Sequence, residues 1–71
     1  MTLMQIPKIY GVDKIRLYDN NTILTETWMN STSRVEESPE LKKYINREID
    51  YIEMCIEGCI GEILVMEIFL K

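Results

Sequence analysis

In 71 residues the chain has no histidine, two cysteines, two prolines, three glycines and one tryptophan. These scarcities exclude chemistry before any motif is sought. Without histidine there is no histidine-based triad, no histidine-containing zinc site and no imidazole proton shuttle. Two thiols cannot fill the four positions of a structural zinc site within one chain. Cys55 and Cys59 stand four apart, a spacing that on one helix places two sulfurs poorly for a disulfide, so buried reduced thiols are expected. No cofactor and no metal are expected.

Long apolar stretches are missing too. The longest uncharged apolar run, Ile63 to Met66, is far short of the ~20 residues that span a bilayer. The start, Met1-Thr2-Leu3-Met4, lacks the charged and apolar regions of a signal peptide. A cytoplasmic protein that does not engage membranes is the expectation. A concentrated basic surface is also lacking, with a net charge of −4 and a pI near 4.7. Residues 1–47 carry seven basic and six acidic side chains, giving +1, whereas residues 48–71 carry six acidic side chains against Lys71 alone, giving −5. Direct nucleic-acid binding, which works by displacing counterions with clustered Lys and Arg, is therefore not expected. The sequons Asn20-Asn21-Thr22 and Asn30-Ser31-Thr32 read as polar turns.

What is present is enough apolar matter for a core, 46% of residues against 28% charged. A chain this short makes one domain of marginal stability, which favours association. Lys14 to Asp19 and Thr22 to Met29 are rich in β-branched and aromatic residues and flank Asn20-Asn21. Asparagine tolerates the positive φ of tight turns, so these segments predict a β-hairpin that opposes Leu17 with Leu24 and Tyr18 with Ile23. Lys8-Ile9-Tyr10 offers a further short strand. Met29 to Glu37 reads as a surface loop.

Ser38-Pro39 is a helix start, with the serine biased away from the helical region and the proline suited to the first helical position. From there Leu41, Ile45, Ile49, Ile52, Ile56 and Cys59 recur at spacings of three and four, within an arc of about 80° at 100° per residue. A central amphipathic helix ending near Gly58 is predicted, with Tyr44, Tyr51 and Cys55 flanking its apolar stripe. After Gly61, Glu62 to Lys71 reads as a hydrophobic strand, although a second helix folded back on the first fits the same apolar run and would leave a monomer. As a strand it sets Ile63, Val65, Glu67 and Phe69 on one face and Leu64, Met66, Ile68 and Leu70 on the other. Strands apolar on both faces belong in the middle of a structure. The fold class is α+β: an N-terminal β-hairpin, one central helix and a C-terminal strand in a small antiparallel sheet, within a single domain over 1–71.

One helix covers only one face of such a sheet. Self-association through Ile63, Val65, Glu67 and Phe69 is therefore expected, as a homodimer formed face to face or by pairing terminal strands edge to edge. Asp50, Glu53 and Glu57 fall within about 60° of one another on the far side of the predicted helix. Paired carboxylates do acid and base work, but nothing around these three suggests an apolar pocket that would shift a pKa. They suit an acidic docking surface for a partner protein with a basic surface, and a total of −4 is weak for mimicry of nucleic-acid phosphates. Trp28 is a candidate interface anchor. Ser31, Thr32, Ser33 and Ser38 lack a base and read as turn and cap residues. A non-enzymatic protein-binding module follows, an inhibitor or accessory factor of the type found in phages and mobile elements. The alternatives are a structural subunit of a heteromeric assembly and a small-molecule binder at a dimer cleft lined by Tyr and Trp.

Overall fold

A computed structural model describes residues 1–7, 9, 11–29 and 34–71. Four strands form one sheet: β1 (Lys14–Asp19), β2 (Thr22–Trp28), β3 (Ile49–Glu57) and β4 (Ile63–Leu70), in the order β2-β1-β4-β3. The predicted hairpin is β1–β2. Asn20 and Asn21 both take positive φ, 51° and 66°, the pair of left-handed residues that gives a two-residue turn the twist of its flanking strands. Tyr18 faces Ile23 as expected, but Leu17 faces Thr25 because a bulge at Leu24 shifts the register. The possible strand at 8–10 falls mostly outside the described residues; Ile9 is buried in the core.

The terminal segment is a strand and lies inside the sheet, β1 running parallel to it on one side and β3 antiparallel on the other. The sheet is thus mixed rather than antiparallel. Two hairpins joined side by side through β1 and β4 place like-directed strands together. The two-sided apolar character of β4 suits an inner strand, whose side chains are flanked on both edges by those of neighbouring strands, Val65 being fully buried there.

The central helix is the main correction. Pro39–Lys42 is helical, and the chain then turns through Lys43-Tyr44-Ile45-Asn46, an aromatic, β-branched and asparagine run with low helix propensity. Residues 49–57 are strand β3. The spacings that suggested a helix are compatible with both structures wherever they equal four, because four is even and keeps one strand face. Of the two steps of three, Ile56 to Cys59 runs out of the strand into the turn, and Ile49 to Ile52 is absorbed by a bulge: Ile49 pairs with Leu70, Tyr51 with Phe69, and Asp50 is the extra residue. Ile49 and Ile52 thereby share a face. Gly58 does take a left-handed φ, 98°, but in the β3–β4 turn together with Gly61 at 71°.

One sheet face is covered. Ile15 and Leu17 of β1 and Ile68 and Leu70 of β4 pack against Leu3, Ile9, Val12, Val35 and Leu41 from the N-terminal segment and the β2–β3 connection. Each of these segments carries one 3-10 turn, Leu3–Gln5 in the N-terminal segment and Val35–Glu37 in the connection. Among the described residues no helix is long and apolar enough to cross a membrane.

Candidate functional site

The second sheet face has no covering layer among the described residues, and registers place its side chains in rows. Across β2, β1, β4 and β3 these are Trp28, Lys14, Val65 and Cys55; then Glu26, Arg16, Glu67 and Glu53; then Ile23, Tyr18, Phe69 and Tyr51. Alternation along each strand is what gathers them, since every second residue points the same way.

Arg16 organises this face. Its guanidinium forms a two-pronged pair with Glu57, Nη1 to Oε2 at 2.8 Å and Nη2 to Oε1 at 2.9 Å. It also reaches Glu67 Oε2 at 3.2 Å, and its Nε donates to Glu26. The reach from β1 to Glu57 on β3 crosses β4 above Val65, which is fully buried although it lies on the open face. Lys14 Nζ adds contacts of 3.3 Å to Glu26 and 3.7 Å to Glu57 and sits 4.8 Å from the centre of the Trp28 ring, a cation–π distance. Hydrogen bonds to Glu57 and then Glu26 raise the Arg16 pKa further above its ordinary value. The bond from Arg16 holds the carboxyls of Glu57 and Glu26 below the usual carboxylate range. Tyr18 Oη donates to Glu67 Oε2 at 2.6 Å; that bond and burial push the phenol up. The Tyr18 ring stacks on Phe69 at 4.6 Å between centres, and Tyr51 stacks on the other side at 4.4 Å.

The structure therefore separates the three predicted carboxylates. Glu57 is held by Arg16 and Lys14. Glu53 lies opposite Glu67 on the same face, exposed and without an ion-pair partner among the described residues. Asp50, at the bulge, lines an open hollow of about 500 Å³ with Tyr18, Asn20, Asn21, Tyr51 and Lys71. Trp28 is 65% exposed and borders a second hollow with Arg34, Ser38 and Pro39. It lies four β1 positions from the Tyr18 row, about 13 Å along the strands, so among the described residues Trp28 lines a different hollow from Tyr18 and Tyr51.

The four residues expected to mediate self-association are engaged inside the chain. Val65 is buried, Glu67 accepts from Arg16 and Tyr18, Phe69 is flanked by two rings, and Ile63 is half-buried. β4 is an inner strand and has no free edge. The thiols also differ from expectation: Cys55 is half-buried on the open face and Cys59 is exposed in the β3–β4 turn. Ser38 does not cap a backbone amide; its hydroxyl lies 3.0 Å from Glu40 Oε2.

Sequence reasoning missed the Arg16 network. The signal was the alternation Lys14, Arg16, Tyr18 facing acidic Glu26, but a hairpin register without the Leu24 bulge sets Arg16 against Thr25. No known protein family matches the chain, and neither a characterised protein nor a solved structure shows significant similarity to it.

Proposed function

We propose that this chain is a non-enzymatic protein-binding module, an inhibitor or accessory factor, whose open sheet face engages a larger partner protein bearing a basic surface. The observation that carries this reading is the composition of that face. Glu26, Glu53, Glu57 and Glu67 stand against Lys14 and Arg16, four carboxylates to two cations, a surplus of two negative charges. The surplus is unevenly held. The cations lie over Glu26, Glu57 and Glu67, so uncompensated charge is left toward β3, at Glu53, with Asp50 beyond it. Exposed Trp28 and Tyr51 supply amphipathic anchors at the two sides of the face. A rigid, pre-formed charged face favours fast, salt-sensitive association.

The test is affinity capture from cells that carry this gene, at low and high salt. Wild type, the Asp50→Lys/Glu53→Lys double variant and Trp28→Ala serve as bait. A protein retained by wild type and lost both with charge reversal and at high salt supports the reading. Retention unchanged by all three manipulations refutes it.

A further inference from the structure

β3 and β2 are the two edges of the sheet, and they are guarded differently. β2 carries its bulge mid-strand, at Leu24. β3 carries its bulge at the start, at Asp50, and among the described residues its outer side is occupied only there, where Ile49 N donates to Met1 O at 2.7 Å and Leu3 N to Arg47 O at 3.2 Å. From Tyr51 to Glu57 the edge is regular and contains no lysine or proline, the residues that usually discourage edge pairing. On its core-side flank Met54 and Ile56 are 51% and 68% exposed, beside an apolar cleft of about 370 Å³ that Ile52, Met54, Leu64 and Met66 line with the N-terminal segment.

We infer that two copies pair antiparallel through β3 about a twofold axis at Met54, joining two four-stranded sheets into one of eight strands. Register selects the axis. Opposed residues in an antiparallel pair share a sheet face, so with strict alternation from Tyr51 to Glu57 the axis must pass through a residue. An axis at Ile52 or Glu53 runs the partner's strand into the Met1–Ile49 contact, and the latter also sets Glu53 against the partner's Glu53. An axis at Cys55 sets Glu53 against the partner's Glu57, and directly opposed like charges destabilise a sheet. An axis at Ile56 leaves about three residues paired, too few for a stable ladder.

At Met54 every pair is compatible. Ile52 meets the partner's Ile56 and Met54 meets the partner's Met54, so the exposed apolar stripe and the rim of the cleft are covered by their own copies. On the open face Glu53 meets the partner's Cys55, and Tyr51 meets the partner's Glu57. The occupant is thus a second copy, chosen by self-complementarity and by charge. The inference uses the β3 edge rather than the open face and holds independently of the proposed partner binding.

Sedimentation equilibrium and cysteine cross-linking test it in the intact chain. Wild type is expected to show a concentration-dependent dimer. Met54→Lys and Ile56→Lys, each checked for a folded circular dichroism spectrum, are expected to weaken it by about tenfold or more. In a Cys55→Ser/Cys59→Ser background, Met54→Cys is expected to cross-link to itself under a short thiol reagent. Ile52→Cys and Ile56→Cys are expected to cross-link only when mixed with each other. A wild-type monomer at NMR concentration overturns the inference, as does self-linking confined to Ile52→Cys or Ile56→Cys.

Discussion

Replacing Arg16 by methionine removes the one side chain that ties all four strands together on the open face. The guanidinium and Glu67 are the most enclosed pair of the network, with side chains 12% and 15% exposed, whereas Glu57 and Glu26 are 33% and 40% exposed. Breaking a buried pair by removing one partner costs about 3–5 kcal/mol, and exposed pairs contribute about 0–1. Enclosure here is partial, and Tyr18 still donates to Glu67, so the loss from the central pair falls below that range. Methionine keeps an unbranched apolar stem at this position. The expected destabilisation is about 2–3 kcal/mol. For a domain of this size about 4–8 °C accompanies each kcal/mol, so the melting temperature should fall by about 10–20 °C. Urea unfolding followed by circular dichroism provides the assay, with Arg16→Met/Glu67→Met as the control. The double variant removes the stranded charge and should recover at least half the loss. A single variant within about 0.5 kcal/mol of wild type, the scale of an ordinary surface substitution, would refute the claim that this network holds the face together.

Stability should also depend on pH at both extremes. The folded-state pKa values of Glu26 and Glu57 lie below the ordinary carboxylate value of 4.5, so their contribution is present above that value and is lost as pH falls through the depressed values. That of Tyr18 lies above 10.0, so its contribution is present below pH 10.0 and is lost as pH rises beyond it. Thermal melts across pH should therefore show a plateau between these limits, and Glu26→Gln should flatten part of the acid limb. Leu41→Ala, at a fully buried site in the short helix, should cost about 2–4 kcal/mol in chemical unfolding. Asn21→Val forces a β-branched residue to the φ of 66° in the hairpin turn and should cost about 1–2 kcal/mol in the same assay. With a chromogenic thiol reagent, exposed Cys59 should react first and half-buried Cys55 in a slower phase.

The hairpin and the terminal strand were legible because their signals are local: Asn20-Asn21 fixes a turn by its backbone preference, and Ile63 to Leu70 between glycine and the chain's last residue is too apolar on both sides for an edge. Residues 49–57 were not legible as strand because the steps of four around them suit both periods, and the step of three from Ile49 to Ile52 reads as helix unless a bulge is known. What decides is distant: β4 has a second edge to pair, and a bulge at Asp50 brings Ile49 and Ile52 to one face. The same error carried into the site. A helix gathers Asp50, Glu53 and Glu57 on one side, whereas the strand leaves Glu57 under Arg16, Glu53 free on the open face and Asp50 beside the hollow at the sheet's end. Glu53, Asp50 and Trp28 remain available to a partner, and the exposed flank of Met54 and Ile56 came into view only once β3 stood at an edge.

NMR shift mapping of the labelled chain with its captured partner tests the role of the open face most directly. The amides of Tyr51 and Glu53 and the Trp28 indole are expected to shift on binding, while the amides of Leu3, Val35 and Leu41 on the covered side are not. Shifts confined to the covered side, with Glu53 and Trp28 unmoved, would contradict it.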